Sequence, residues 1–464
     1  MKFLLILLGL LCSTNLWAAG GYEKTSPWSA VGASLGGNMA SHAQGTDALF
    51  FNPAGLHTDQ TFEVQLGLSC AGASVSGPVA QSGQELSMDN ETVCPFGLVG
   101  TYQVNDRLAV GFGAYALAGL ALKYSNVDMS AYSPDLSGYT TTPYSNLGVL
   151  ETNLSVAYKL TKSLSLGVAL KGQIAQAGLA QTTMANSKNL GGMGIPDGTP
   201  MAASETELSD LEGSEWGSFT VGLQYQKKRW GLGITYRNEV KVDVSGRSGG
   251  TIAYTAAGAA AVSAATGGMV NPTPGQSYAL VGSDVNVSTY IPQQVKIDTH
   301  YHLNQNNTLF VGYNWTDYSV NNQLQISGGT LTNSQTGQQI QLPNINLNWQ
   351  DLHDFKLGYE NRSFDGLALR AGYTYSTQVT NDDYASATFA TPSEFHHVAL
   401  GMGKTFDVGS ENTLEVNLAV EHYFSSGDGR KVSEEIDATS ETPTISGSFR
   451  TNATAAMIGA TYGF

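Results

Sequence analysis

The sequence predicts an all-β protein: a 14-stranded antiparallel transmembrane β-barrel with a short N-terminal hatch inside its lumen. Two observations predict this fold. Fourteen short stretches alternate apolar and polar residues, and the connections between them are alternately tight and long. The strands of a membrane barrel have one side facing lipid and the other facing the lumen, with short turns at one rim and long loops at the other. The barrel must close, because lipid cannot hydrogen-bond the free backbone groups of a sheet edge.

The composition is consistent with this class. The chain has 464 residues, of which 41% are hydrophobic, an ordinary share because only one face of each strand would meet lipid. Apart from the first residues, no apolar run approaches the ~20 residues that a spanning helix needs. The formal net charge of −16 argues against a nucleic-acid partner, since phosphate binding requires basic patches.

Residues 1–19 have the features of a secretory signal peptide. Lys2 supplies the positive start, residues 3–11 form the apolar core, and the small residues Ala18 and Ala19 offer a cleavage site. The core is too short for a transmembrane anchor. We therefore expect a cleaved signal peptide and a mature protein in the outer membrane of a Gram-negative cell.

Residues 20–60 are rich in Gly, Ala and Ser and precede the first predicted strand. This segment is too short for a large energy-coupled plug, and a general porin would need almost nothing here. We expect it to form a small hatch (plug) in the lumen, while residues 61–464 form the barrel. The hatch contains the motif Asn52-Pro53-Ala54.

Six tight turns, including Asn105-Asp106, and seven longer loops separate the predicted strands, and we assign the turns to the periplasmic side. Aromatic residues near strand ends predict interface girdles, with Trp216 and Trp349 at the outer rim and Trp230 and Phe464 at the inner rim. The predicted strands are 61–74, 93–104, 107–124, 145–160, 163–178, 216–226, 229–245, 290–303, 307–322, 350–361, 366–378, 394–406, 412–425 and 453–464.

Two cysteines, Cys70 and Cys94, remain after the signal peptide and lie on the first and second predicted strands. Exported proteins commonly form disulfides. If the two residues face each other, the antiparallel register pairs Leu68 with Phe96 and Leu66 with Leu98, and all of these belong to the apolar outward set. We expect a structural disulfide; the alternative is two unpaired thiols facing lipid.

Several motifs follow one another along the chain in an order that resembles the FadL/TodX-type family of outer-membrane transporters for hydrophobic molecules. Asn52-Pro53-Ala54 stands in the position of the family's NPA motif. The other matches are Trp216-Gly217 with Gly231-Leu232-Gly233-Ile234-Thr235-Tyr236-Arg237, Ile291-Pro292, and Trp315-Thr316-Asp317-Tyr318.

The resemblance implies a barrel that carries long-chain fatty acids or hydrocarbons passively across the outer membrane. Ligand would be captured between the third and fourth extracellular loops, held in an internal pocket, and released sideways at a kinked strand 3. An uptake channel for aromatic hydrocarbons on the same fold is the alternative. An outer-membrane lipid-active enzyme and a purely structural barrel are further alternatives from other classes.

Strand 3 stands out by its residues alone. Residues 109–122 are apolar on both faces, whereas most other strands carry polar side chains inward. Glycines inside a strand mark bulges, bends or close backbone approach. We expect a kink and lateral opening here, with Asn52-Pro53-Ala54 lying against it; a wall that simply packs against the hatch is the other interpretation. The strand-3 candidates are Gly111, Gly113, Tyr115, Leu117 and Gly119.

The third and fourth loops carry apolar residues, including several flexible methionines, and an Ala-rich stretch at 253–266 with helical propensity. These loops are candidate capture surfaces, although they could instead fold onto one another. Inward basic residues are candidates for binding a carboxylate head group, or else they form ion pairs inside the lumen. The carboxylate-binding candidates are Lys171, Arg237, Lys296 and Arg370.

Enzyme chemistry has little support in the sequence. His300 and His302 share one strand face, but two ligands without a third are a weak metal signal. No Ser and His are placed together as a lipid hydrolase would need. We expect no enzyme activity, no cofactor and no metal. The expected partners are a hydrophobic small molecule, outer-membrane lipid and lipopolysaccharide, and no nucleic acid.

Overall fold

The computed structural model describes residues 26–80, 83–90, 92–389, 391–409, 412–431, 435–437, 439–441 and 444–464. The predicted signal peptide, 1–19, lies outside these residues, and the hatch is described from residue 26 onward. In the ranges described, no helix is both long enough and apolar enough to cross a membrane.

Fourteen antiparallel strands form one closed barrel, as the sequence predicts. Each strand pairs with the next, and the last pairs with the first, so that Leu68 lies opposite Ile458. The strands are β1 (Phe62–Pro78), β2 (Phe96–Asn105), β3 (Leu108–Lys123), β4 (Tyr144–Lys159), β5 (Leu164–Ser187), β6 (Pro200–Gln226), β7 (Trp230–Arg237 and Val240–Tyr254), β8 (Asp284–Ile291 and Gln294–His302), β9 (Asn307–Thr316), β10 (Leu352–Phe364), β11 (Leu367–Ser376), β12 (Phe395–Val408), β13 (Asn412–Lys431) and β14 (Ile445–Gly463).

The predicted alternation of faces is observed along most strands. On β5, Leu170 is 61% exposed on the lipid-facing side, while its neighbours Ala169 and Lys171 are buried in the lumen. The register of β1 against β2 is the predicted one, with Leu68 opposite Phe96 and Leu66 opposite Leu98. In this register Cys70 and Cys94 form a disulfide, with their Cα atoms 4.0 Å apart.

Three strands extend far beyond their predicted ends at the long-loop end of the barrel. β5 continues to Ser187, β6 begins at Pro200, and β7 continues to Tyr254, so much of the predicted third and fourth loops is a sheet. The prediction failed there because both faces of this extension are largely polar and the apolar alternation stops. The Ala-rich stretch forms a helix, Ala256–Ala265.

The hatch is a compact chain segment with two very short helices, α1 (Ala30–Ser34) and α2 (Ala48–Phe51). The Ser29 side chain caps α1 by accepting a hydrogen bond from Gly32 N, 3.0 Å away. Apolar hatch residues and the inner barrel wall belong to one buried cluster, so the hatch forms the core of the lumen. The hatch contributes to it Trp28, Val31, Leu35, Met39, Ala43, Ala48, Leu49, Phe50, Phe51 and Leu56.

The hatch and the long loops also contain short strands and 3₁₀ turns. The minor strands are Glu85–Ser87, Thr92–Val93, Val127–Asp128, Thr140–Thr141, Ser277–Val281, Gln323–Gly328, Leu331–Asn333, Gln339–Ile340, Ile345–Asn346, Glu435–Asp437 and Ser440–Glu441. The 3₁₀ turns are Gly45–Asp47, Pro53–Gly55, Met129–Ala131, Pro134–Leu136, Gly191–Met193, Tyr318–Val320 and Asp382–Tyr384.

Candidate functional site

The lower half of β3 is an ordinary barrel strand. From Leu108 to Tyr115 it pairs with β2 on one side and β4 on the other. Its faces alternate, with Phe112 48% exposed toward lipid and Gly111 buried toward the lumen. Gly111 lies where the hatch approaches closely, because a Cβ atom there would be 2.8 Å from Leu56 Cδ2. Gly111 and Gly113 therefore belong to the regular part of the strand.

The upper half of β3 departs from the barrel. The register against β4 shifts between Ala116 and Ala118, which leaves Leu117 as a bulge. Among the described residues, the register pairs with β2 end at Tyr115, opposite Gly97. Ala116, Leu117 and Ala118 are all buried, so the alternation of faces stops at this point. Over the part of the chain that the structure describes, β3 therefore has no strand partner on its β2 side from Ala116 to Leu122, and beyond this gap Asp89 N donates to Lys123 O at 2.8 Å.

The hatch packs its aromatic residues against β3 just below this break. The Trp28 ring lies 4.3 Å from the Tyr115 ring, centroid to centroid, and Phe50 lies 6.0 Å from both. Asn153 on β4 donates one hydrogen bond to Leu49 O, at 2.9 Å, and is 3.2 Å from Tyr115 Oη. The end of the paired part of β3 is thus in direct contact with the hatch.

The Asn52-Pro53-Ala54 motif lies elsewhere, which corrects the expectation that it contacts strand 3. Asn52 Nδ2 donates to Leu223 O on β6 and to Ala40 O within the hatch, at 3.0 and 2.8 Å. A Cβ atom at Gly167 on β5 would be 2.2 Å from Pro53 C. The motif docks on β5 and β6 because glycines there leave room for its backbone, a match between distant residues that the sequence does not reveal.

Above the hatch, the lumen contains a cavity of about 120 Å³ with almost purely apolar walls. Leu120 of β3 reaches its edge, and the large loops before β10 and β12 close it from above with Trp349 and Phe389. The sequence placed Trp349 at the outer rim, but it is buried; Asn348, with a left-handed φ of 45°, bends the chain just before it. The barrel walls contribute Leu147, Val149, Ala175, Ala177, Leu179, Leu208, Leu211, Val242, Val244, Val287 and Ile291.

A buried polar network lies next to the cavity at the level of the β3 break. Glu151 on β4 accepts hydrogen bonds from Tyr115 and from Gln173, the latter at 2.9 Å. Lys171 Nζ lies 2.9 Å from Glu151 Oε1, and both side chains are fully buried. These contacts hold Tyr115, the last residue of β3 that pairs with β2, to β4 and β5. The sequence pattern alone assigns no role to Glu151, although its spacing of two residues from Val149 places both on one strand face.

The four candidates for binding a carboxylate are all buried in the lumen, and each already has a partner within the protein. Lys171 and Arg370 form ion pairs, since Arg370 Nε lies 2.7 Å from Glu360 Oε2. Arg237 Nη2 donates to Pro292 O at 2.8 Å, at the break in β8. Lys296 Nζ lies 4.5 Å from the centre of the Phe50 ring in a cation–π contact. For Lys171 and Arg370, the structure therefore favours ion pairing within the lumen over a free site for an anionic head group.

His300 and His302 are neighbouring rings on β8, and His300 contacts the hatch. His300 Nδ1 is 3.1 Å from Ser41 Oγ, and its ring contacts His42 at 5.2 Å between centroids. Burial lowers the pKa of His42 to about 4, so this hatch side chain is neutral at neutral pH. Over the described part of the chain, no group of three or more His, Cys, Asp or Glu could hold a metal ion.

A closed barrel with an internal hatch, an apolar cavity and a broken strand beside it defines a class of outer-membrane channel for hydrophobic molecules. The chain belongs to the family described as outer membrane protein transport protein (OMPP1/FadL/TodX), which matches residues 9–464. The protein is therefore a β-barrel of the Gram-negative outer membrane.

Known proteins resemble the chain to different extents. It is 26% identical over 252 residues to the long-chain fatty acid transport protein of Escherichia coli O6:H1, and this match spans 51% of the chain and about half, 54%, of that relative's length. The crystal structure of a Pseudomonas aeruginosa FadL homologue superposes with a TM-score of 0.72 at 17% identity, covering 96% of this chain and all of that one. The Pseudomonas putida toluene transporter TodX gives 0.66 at 18% identity, covering 96% and 99%.

Proposed function

We propose that this protein carries hydrophobic molecules, with long-chain fatty acids as the principal candidates, passively through the outer membrane. The extracellular loops capture the ligand, the apolar cavity holds it, and the gap between β2 and β3 releases it sideways into lipid. The chain acts as a channel and not as an enzyme, and the signal peptide 1–19 is removed on export. The relatives named for fatty-acid and toluene transport support this range of substrates.

The observation that carries the proposal is the position of the cavity next to the unpaired edge of β3. Leu120, which lines the cavity, lies within the segment that pairs with β4 only. A molecule in the cavity therefore has lipid beyond one short stretch of wall. An apolar ligand that leaves this way avoids both the hatch and the polar periplasmic end of the barrel.

Capture at the loops needs no energy source other than the ligand's own gradient. Exposed methionines stand on the third and fourth loops, where Met193 and Met269 are 46% and 87% exposed. Burying an alkyl chain against such surfaces gains about 0.8 kcal/mol per CH₂ group. A long chain therefore binds readily at the loops, and transfer to the cavity and into lipid runs downhill from there.

Uptake of compact aromatic hydrocarbons is the second candidate, and the size of the cavity favours it. A dry engineered cavity of about 150 Å³ binds benzene, and the cavity here measures about 120 Å³. A long alkyl chain would need the loops or the hatch to move. Uptake of toluene-sized and long-chain ligands, measured side by side in the same vesicles, distinguishes the two.

A reversible lock across the β2–β3 gap tests lateral release. Cysteines replace Phe96 and Ala116, the pair that would continue the register beyond Gly97 and Tyr115, in a protein where Cys70 and Cys94 are changed to Ser. We expect oxidation to lower fatty-acid uptake by about tenfold or more, with recovery after reduction. Ligand binding at the loops remains.

The matched control places the cysteines at Leu98 and Ala114, which already face each other in the paired part of the strands. Oxidising this pair leaves uptake unchanged, because it locks nothing that must open. Full uptake through the barrel locked at positions 96 and 116 would contradict lateral release and favour a straight path through the hatch.

A further inference from the structure

The lipid-facing side of β12, β13 and β14 changes from apolar to aromatic to polar over a short distance toward the loop end. Leu400, Val420 and Ile458 are exposed side chains of the apolar band. Farther along the same faces come His396 and Phe424, and then polar residues. Arg450 and Asn452 on β14 share the outward face with Ile458, because exposed and buried residues alternate along this strand from 450 to 458. This gradient places the polar residues at the level of the outer-leaflet head groups.

A groove of about 890 Å³ lies at the polar end of this gradient. Its volume is in the range of sites for molecules of several rings. The side chains that line it come from β12, β13, β14 and the loop before β12. The residues that matter for its chemistry are Glu394, His396, Phe424, Asp428, Arg450 and Asn452.

Two stacked rings form the lower edge of the groove. The rings of His396 and Phe424 are 5.1 Å apart between centroids and inclined by only 19°. His396 Nδ1 lies 2.8 Å from Tyr373 Oη, so the imidazole cannot turn freely. The pair offers a fixed, flat surface with an apolar face. Such a surface suits a ring that is apolar on its faces and polar around its edge.

We propose that this groove binds the saccharide head group of an outer-leaflet glycolipid. The acyl chains lie along the apolar band below it, and a sugar ring packs on the edge formed by His396 and Phe424. The carboxylates of Glu394 and Asp428 accept hydrogen bonds from sugar hydroxyls, and the Asn452 amide both donates and accepts. Arg450 Nη1 lies 3.8 Å from Glu85 Oε1 in an exposed ion pair, and the guanidinium also takes an anionic substituent of the sugar.

The charges of the groove favour a saccharide over a phospholipid head group. Asp382, Glu394 and Asp428 line the groove, and Glu85 pairs with its one guanidinium, Arg450, at 3.8 Å, so these carboxylates would repel a small head group that consists mainly of phosphate. A saccharide instead supplies many hydroxyl donors for these acceptors. The site is on the outer wall of β12–β14, away from the cavity and the β2–β3 gap, and goes beyond the proposed transport function.

Retention of glycolipid by the purified protein tests the proposal. The wild-type protein, Phe424→Ala and Arg450→Ala are reconstituted into phosphatidylethanolamine vesicles with rough lipopolysaccharide that carries its complete core oligosaccharide, and are extracted in mild detergent. Native mass spectrometry then counts the lipopolysaccharide molecules on each barrel. We expect one retained molecule on the wild type, and about tenfold weaker retention for each variant, because each loses one direct contact.

The controls are Phe355→Ala and Arg247→Ala. Phe355 is exposed and lies in the same register row as Phe424, through Tyr375 and His396, but does not line the groove. Arg247 is an exposed arginine on the extracellular extension of β7. We expect both controls to retain lipopolysaccharide like the wild type. Equal retention by all five proteins, or an equal loss in Phe355→Ala and Phe424→Ala, would overturn the proposal.

Discussion

The two sides of the lumen differ in how they meet the chain inside them. On the β6–β11 side, polar side chains of the wall bind the hatch backbone: Asp298 Oδ2 accepts from Ala40 N at 2.7 Å, and Lys356 Nζ donates to Gly37 O at 3.2 Å. On the β3 side the hatch is held mainly by aromatic and aliphatic packing around Tyr115. Hydrogen bonds fix geometry, whereas apolar packing is non-directional and tolerates displacement. The β6–β11 side therefore anchors the hatch, whereas the hatch can shift against the β3 side.

The cavity lies above the hatch between walls that run from β3 to β8, so a charge placed there should have the largest effect. Val244 is buried in the cavity wall among other apolar residues. Val244→Glu puts a carboxylate in an apolar site and should cost several kcal/mol of folding free energy or draw in water. We expect uptake of hydrophobic ligands to fall to background. Val244→Leu is the control, and uptake that survives in Val244→Glu would exclude the cavity from the path.

Breaking an ion pair on the anchoring side should cost stability without changing transport. Arg370→Ala removes a buried guanidinium that lies 2.7 Å from Glu360 and 2.9 Å from Asn417 Oδ1. We expect a loss of about 3 kcal/mol in the free energy of unfolding. Uptake per folded barrel should be unchanged. Lys241→Ala, which removes an exposed ion pair with Asp243, should leave the free energy of unfolding almost unchanged.

Asn52 connects the hatch to the anchoring wall, and its removal should loosen the hatch. Asn52→Ala loses the hydrogen bonds to Leu223 O and Ala40 O and the one that its Oδ1 accepts from Ala54 N. We expect a cost of about 2 kcal/mol, because buried carbonyls lose their donor. Hatch amides should exchange faster with deuterium, and small polar solutes should leak into vesicles.

Two variants sharpen the Asn52 experiment. Asn52→Asp keeps the shape and the acceptor for Ala54 N but loses both donors, so it should resemble Asn52→Ala. Asn105→Ala removes a comparable cap in a periplasmic turn, where Asn105 Oδ1 accepts from Arg107 N and Leu108 N. Faster hatch exchange in Asn105→Ala would show that the assay reports barrel stability and not hatch docking.

An effect of similar size that depends on pH comes from Asp47 in the hatch. Burial raises the pKa of Asp47 to about 6 from 3.8, so the folded state holds this proton more tightly than the unfolded chain. Its stabilising contribution is present below about pH 4 and is lost as the pH rises through about 6. We expect Asp47→Asn to stabilise the protein by about 2 kcal/mol near pH 8 and to change little near pH 4.

His42 titrates in the opposite sense over the same interval, so the difference between variant and wild type is the quantity to measure. Burial lowers the pKa of His42 to about 4, and its stabilising contribution is lost as the pH falls below about 6.5. Unfolding in denaturant at several pH values, with both proteins side by side, isolates Asp47. A difference that does not change with pH would show that Asp47 is already ionised in the folded protein without penalty.

The sequence by itself determined the number of strands, the closure of the barrel and the register of β1 against β2. These follow from local alternation, from turn residues and from the requirement that lipid leave no backbone group unpaired. It also marked β3 as unusual, because residues 109–122 lack a polar face. The position of the break, between Ala116 and Ala118, required the structure.

Where the hatch docks and which side chains become neighbours could be seen only in the folded barrel. Asn52-Pro53-Ala54 meets Gly167 and Leu223 rather than β3, and Trp349 turns inward to close the cavity. Such contacts join residues far apart in the chain, and no local period encodes them. The polar extension of β5, β6 and β7 was missed for a related reason: in water, a strand ladder needs no apolar face to be satisfied, so its sequence resembles that of a loop.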